Sequence, residues 1–316
     1  MISQLKKIGC SIMFLLLVAP AFGKSIKSNF INLNNRVRIH YYDNNNGSNV
    51  ILFVHGLPLN ADSWRPQLEN FQKKYRVIAL DLPGYGLSTS LPTPIPAELS
   101  AWYANVISHF LKKLGVKNVV FIGFASAGHI GMKFSATYPD QVDKLIVINS
   151  SPQFNQGPDW PYGFTSGKNK SIVEKITHND FKNTIESIIN VATQEKCNCG
   201  LDELRARFYK MGMMSSKKTL LGFFNHIAHE NFRPLLKKIH VPTLIITSNL
   251  GLEVPQEVGL YLRRNIPDSQ LVEINGADHF VFATSANYVN QVIERFLTPI
   301  CTFEAGQSIP RSECLA

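Results

Sequence analysis

Asn118-Val-Val-Phe-Ile-Gly123-Phe124-Ala125-Ser126-Ala127-Gly128-His129 is the stretch on which the fold is decided. Residues 119–122 are a continuous apolar run, as expected of a strand buried on both faces of a parallel sheet. Gly123 follows, then small residues, the composition a chain needs to turn sharply against its neighbours. A helix is predicted from Ser126 to Tyr138, and Pro139 stops it. Strand, tight turn and helix in that order make one half of a β-α-β unit.

The same grammar repeats on both sides. Short apolar runs bounded by turn residues fall at 50–54, 77–80, 145–148, 243–246 and 271–274. An opening hairpin is expected from 30–33 and 37–42, around Asn34-Asn35. Helical stretches at 64–71, 97–114, 256–264 and 286–296 separate the strands. Alternating β and α units with right-handed crossovers predict an α/β fold with a mostly parallel, doubly wound sheet. Between 148 and 243 the rhythm breaks: strand patterns stop, and amphipathic helices are expected near 180–192, 202–211 and 217–229. Residues 151–240 therefore read as a helical cap inserted into a core of 24–150 and 241–300. It would lie over the sheet edge where open α/β sheets bind ligands.

The chain has 316 residues, 45% hydrophobic and 17% charged, which describes a globular protein with ample core. Its formal net charge is +9, two units of it from Lys6 and Lys7. No basic stripe interleaved with aromatics appears, so nucleic acid is not an expected partner. Lys6-Lys7, an apolar run over 8–19 and the small residues of Pro20-Ala21-Phe22-Gly23 fit a secretory signal. Residues 1–23 are expected to be cleaved on export to a periplasmic or extracellular space, with an uncleaved anchor as the alternative. The run is short for a membrane span. Cys197, Cys199, Cys301 and Cys314 would then meet an oxidising compartment, and disulfides tying the first two to the last two would tether the tail 301–316. Free thiols or a metal site are the alternatives. His226 and His229, on one expected helical face, have no carboxylate or Cys at ligand spacing, so neither metal nor cofactor is predicted.

Four motifs carry the chemistry. His55-Gly56-Leu57-Pro58 follows the run at 50–54, Asp81-Leu82-Pro83-Gly84-Tyr85-Gly86-Leu87-Ser88 follows that at 77–80, the turn at Ala125 follows 119–122, and Gly276-Ala277-Asp278-His279 follows 271–274. Together they resemble the α/β-hydrolase superfamily, in its capped esterase- and epoxide-hydrolase-like form. The resemblance implies a nucleophile elbow of the form G-x-S-x-G at residue 125, with an oxyanion hole from the backbone N–H groups of Leu57 and Ser126. It also implies that His279 is the catalytic base. Two positions depart from the pattern: Ala125 stands in the nucleophile slot, and Gly251, counted back from Val254-Pro255, stands where the acid belongs. The other acid position of this fold carries Asn149.

In a serine triad, loss of the acid alone costs about 10⁴ in turnover, and loss of the nucleophile leaves only binding and oxyanion-hole effects. The expectation is therefore a ligand-binding protein, taking a small apolar or ester-like molecule under the cap. One alternative is a rearranged hydrolase with Ser126 as nucleophile, His279 as base and Glu253 as acid. Against it, the residue after the elbow is expected to turn its side chain away. A further alternative is nucleophile-free lyase or oxygenase-type chemistry with His279 as base. His55, Asp81 and Asp278 read as turn organisers. Phe154, Trp160, Tyr162, Phe164, Phe208, Tyr209, Met211, Met213, Met214, Phe223 and Phe224 are large apolar groups in and around the cap, most of them expected in the core and an unspecified subset lining the cavity.

Overall fold

A computed structural model describes residues 25–34, 36–178, 180–193, 201–250 and 254–298. In chain order the elements begin β1 (Lys27–Asn32), β2 (Arg38–Asp43), β3 (Val50–Val54), α1 (Arg65–Phe71), β4 (Arg76–Leu80) and α2 (Leu99–Lys113). Next come β5 (Val119–Phe124), α3 (Ser126–Thr137), β6 (Val142–Ile148), α4 (Ser166–Thr177), α5 (Phe181–Ala192), α6 (Leu201–Met213) and α7 (Lys217–Asn225). The chain closes with β7 (Thr243–Ser248), α8 (Gln256–Asn265), β8 (Ser269–Ile274), α9 (Val281–Thr284) and α10 (Ala286–Leu297). The expected signal segment 1–23, Cys197, Cys199, Cys301 and Cys314, Gly251, Glu253 and the tail 301–316 lie outside the described residues.

The eight strands form one sheet in the order β1-β2-β4-β3-β5-β6-β7-β8. β1 and β2 are an antiparallel hairpin, β2 is antiparallel to β4, and every other neighbouring pair is parallel. The fold is the expected α/β one. All five residues of β3 are buried, because a central parallel strand has helices over both faces. From β3 the chain crosses to β4 on one side, and from β4 it crosses back over β3 to β5. Right-handed crossovers in opposite directions place α1 on one face and α2, α3 and α8 on the other. The packing agrees: α1 meets α10, and α2 meets α3. This reversal opens a crevice beyond the carboxyl ends of β3 and β5, where open α/β sheets place ligands. His55-Gly56-Leu57 and Ala125 are the residues that emerge there.

Between β6 and β7 lie α4, α5, α6 and α7, with α4 against α5 and α7, and α5 against α6. Helix α4 is an addition to the expected helices. α7 ends at Asn225 and His226 is its C-cap, followed by a 3-10 turn over Ile227–His229. The α-helical spacing that was to set His226 and His229 on one face therefore does not run through them. Among the described residues no helix is long and apolar enough to cross a membrane.

Candidate functional site

The turn after β5 is tight because its neighbours leave no room. A Cβ on Gly123 would lie 2.6 Å from the Ala127 carbonyl oxygen, and one on Gly128 would lie 2.6 Å from Ser150 Cβ. Ala125 sits at the apex with φ 47° and ψ −115°, in the left-handed half of backbone space. Such a conformation in a residue with a Cβ costs of order 1–3 kcal/mol and persists only when its surroundings over-determine it. Here the Ala125 N–H donates to the Ile148 carbonyl at 2.9 Å, extending the sheet ladder past the strand end. Its own carbonyl accepts from Ser150 Oγ at 2.7 Å and from Gly128 N–H at 3.0 Å. The elbow is held from both sides.

Ser126 departs from expectation. Its side chain does not turn away: Oγ accepts the Leu57 N–H at 3.0 Å, and the residue lines the same cavity as Ala125. The loop carrying Leu57 comes close because Gly56 lacks a side chain, and a Cβ there would lie 2.7 Å from the Phe124 carbonyl oxygen. One of the two N–H groups expected to form an oxyanion hole is thus already engaged by a hydroxyl of the same protein.

His279 lines the cavity too, with its ring 5.0 Å from that of Phe124. Its backbone is fastened twice: the N–H donates to the Ala192 carbonyl at 3.1 Å, and the carbonyl accepts from Asn149 Nδ2 at 2.8 Å. Asn149 is fully buried with φ 45°, donates also to Ser248 Oγ at 2.7 Å, and accepts the Ser248 N–H at 2.8 Å. At the alternative acid position the amide thus works as a clamp on the loop backbones. Ser248 Oγ donates to the Asp278 carbonyl at 2.7 Å, and Thr284 Oγ1 donates to Asp278 Oδ1 at 2.9 Å, so this turn is tied on both flanks.

The two other motif residues organise structure. Asp81 Oδ1 accepts from Ala61 N–H at 2.7 Å, Oδ2 accepts from Leu87 N–H at 2.8 Å, and His40 Nδ1 lies 2.8 Å from Oδ2. Burial alone would raise the Asp81 carboxyl, but His40, His55 and these two amides outweigh it and hold the group below the usual range. His55 is buried, and its Nε2 accepts the Leu82 N–H at 3.1 Å. Burial, only partly countered by Asp81 and the Gly56 carbonyl, lowers its pKa and keeps the ring neutral. Outside these motifs, buried His129 stacks on Phe232 at 4.1 Å and reaches Glu230 at 3.3 Å, pinning the segment after α7 to α3.

The cavity measures about 480 Å³, within the range of small-molecule sites. Its floor is Leu57, Ala125, Ser126, His279 and Phe280, and Phe154, Phe164, Phe223 and Phe224 form apolar walls. The remaining wall comes from α4 and α5, which contribute Lys168, Ser171, Ile172, Lys175, Ser187, Ile188 and Val191. Sequence reasoning passed over α4. Its signal was present in Thr165, whose hydroxyl accepts the Lys168 N–H as an N-cap, ahead of apolar residues at 172, 173 and 176. Among the described residues no group of three or more His, Cys, Asp or Glu gathers as for a metal.

A strand-to-helix turn at strained φ, a neighbouring H-G-L-P loop and a histidine loop after the last strand define the class. The chain belongs to the alpha/beta hydrolase fold family, whose profile it matches over residues 49–286. It is 27% identical over 258 residues to the pimeloyl-[acyl-carrier protein] methyl ester esterase of Wigglesworthia glossinidia brevipalpis, covering 79% of this chain and 94% of that one. With an epoxide hydrolase of Caenorhabditis elegans it shares 26% over 280 residues, 83% of this chain and 68% of the other. Among solved structures, a bromoperoxidase from Bacillus anthracis superposes with a TM-score of 0.79 at 24% identity, over 86% of this chain and all of that one. An esterase from Exiguobacterium antarcticum gives the same TM-score at 22% identity, with the same coverage.

Proposed function

We propose that this protein binds a small, largely apolar or ester-like molecule beneath its inserted helices and does not hydrolyse it by the serine route. One observation carries the reading: the apex of the elbow, aimed into the cavity that His279 also lines, is the methyl group of Ala125. A methyl group has no lone pair with which to attack a carbonyl, so no acyl-enzyme forms there. The esterase names of several relatives support an ester-like ligand.

A second reading, hydrolysis by Ser126 with His279 as base and Glu253 as acid, is favoured by one fact: Ser126 lines the same cavity as His279. It is weakened by another, since that oxygen already holds the Leu57 N–H that a developing oxyanion needs. The test treats the purified chain with a fluorophosphonate, assays short p-nitrophenyl esters, and locates any adduct by mass spectrometry. No adduct and no turnover from folded protein, with apolar compounds raising Tm, is the expected result. An adduct on Ser126, with turnover abolished by His279→Ala, would overturn the binding reading. Turnover that needs His279 but leaves no adduct would point to base chemistry without a nucleophile. We also propose export with removal of residues 1–23, supported by Lys6-Lys7 and the apolar run after them; N-terminal sequencing of the mature protein, expected to begin at Lys24, checks it.

A further inference from the structure

The cavity has a polarity gradient that its motifs do not explain. Its floor is buried and apolar around Ala125 and Phe280, whereas its outer wall is exposed and polar. Helix α4 turns Lys168, Ser171, Ile172 and Lys175 to the cavity, a spacing of three, four and seven residues that marks one helical face. Both lysines are exposed at the rim. The rim also holds Asp180, whose Oδ1 accepts from Asn183 Nδ2 at 2.6 Å, and Lys168 Nζ lies 5.3 Å over the Phe164 ring; the lysine and carboxylate side chains lining the cavity are thus Lys168, Lys175 and Asp180. The carboxylate of α4 itself, Glu174, lies 3.9 Å from Lys170.

Resting on the binding reading above, we propose that the ligand is an amphiphile of one negative charge. It is a medium-chain carboxylate, with its hydrocarbon tail on the Ala125 floor and its carboxylate at the rim between Lys168 and Lys175. The reverse orientation is disfavoured physically. A carboxylate pressed against Phe280 and the Ala125 methyl would lose its hydration, and of the two N–H groups that could compensate, Leu57 and Ser126, the first is engaged by Ser126 Oγ. At the rim the charge keeps water and meets two cations. Volume supports the tail: a site of about 480 Å³ walled by aromatic rings suits a flexible hydrocarbon chain.

The test is titration calorimetry of the full chain with decanoate, 1-decanol and decyltrimethylammonium, in low salt and in 0.5 M NaCl. Decanoate is expected to bind most tightly and decyltrimethylammonium least. The double variant Lys168→Gln, Lys175→Gln should weaken decanoate about 5-fold in low salt, as exposed charge pairs do, and leave decanol unchanged. High salt should erase the difference between the variant and the parent chain. Equal weakening of decanoate and decanol, or none of either, would overturn the charge assignment while leaving ligand binding intact. Loss of decanoate binding in His279→Ala but not in the lysine variant would show the carboxylate inward, and also overturn it. If none of the three compounds binds folded protein, both this inference and the binding reading fall.

Discussion

Replacing Ala125 by Ser puts a hydroxyl back on the elbow and asks whether the remainder of the site still works. The backbone already sits at φ 47°, so the substitution adds no strain beyond that of the native Ala. The new oxygen enters a cavity rather than packed core, since residue 125 lines it beside His279. On the proposed reading that Gly251 and Asn149 stand at the two acid positions, acylation is expected about 10⁴ below that of a complete triad. That is slow but within reach of an irreversible fluorophosphonate label followed over hours. A further toll comes from Ser126, whose hydrogen bond to Leu57 N–H must break before that donor serves an oxyanion. A net hydrogen bond is worth about 0.5–1.5 kcal/mol, so Ala125→Ser with Ser126→Ala should label roughly 2- to 10-fold faster than Ala125→Ser alone. The assay is the adduct on residue 125, counted by intact-mass spectrometry against time. If folded Ala125→Ser does not label, the elbow does not present its apex to the cavity, and the geometric basis of the binding reading fails. If the double variant labels more slowly than the single one, the Ser126 hydroxyl swings round to donate to the oxyanion instead of obstructing its donor.

The strain at Ala125 has a thermodynamic counterpart: Ala125→Gly relieves about 1–3 kcal/mol and gives back roughly 0.5–1 in unfolded-chain entropy, for a net gain near 1 kcal/mol read as a rise in Tm. No change or a fall in Tm would mean that the left-handed geometry is unstrained. Stability should also fall on acidification in two stages. His55 has a folded pKa below its unfolded one, so stability is complete above about pH 6.5 and declines as pH falls below it. The carboxyls of Asp81 and Glu230 are depressed as well: burial would raise each, but His40 for one and His129 for the other lead the groups that outweigh it, so a second loss begins below about pH 4.5. Urea unfolding at pH 7.5, 5.5 and 4.0 measures both stages, and His55→Gln should flatten the first. Val191→Trp fills the cavity from α5 and should abolish decanol binding without lowering Tm; retained affinity would place the ligand elsewhere.

The sheet was legible because its central strands are buried on both faces, so burial writes itself into sequence as unbroken apolar runs; β3 is the plain case. The elbow was legible through Gly123 and Gly128, where contact distances allow no side chain. Helix α4 was not, for only Asn169 and Ile176 of its twelve residues are buried and its cavity face is largely polar, leaving little periodic signal. The direction of the Ser126 side chain was equally hidden. It is set by a loop 69 residues away, and nothing local to the helix encodes that approach. Asn149 stood out in the sequence by its place after the apolar run at 145–148, but its work as a clamp between Ser248 and the His279 backbone exists only in three dimensions.

The bond from His279 N–H to the Ala192 carbonyl joins the core's histidine loop to the final residue of α5. On its other side the same residue is held by Asn149. A guest that pushes α5 outward therefore pulls on the loop carrying the imidazole, while the asparagine resists. Mechanically, the helix is a lever whose short arm ends at the ring. The backbone of the His279 loop is thus fixed from two directions at once, by the end of α5 and by the Asn149 amide.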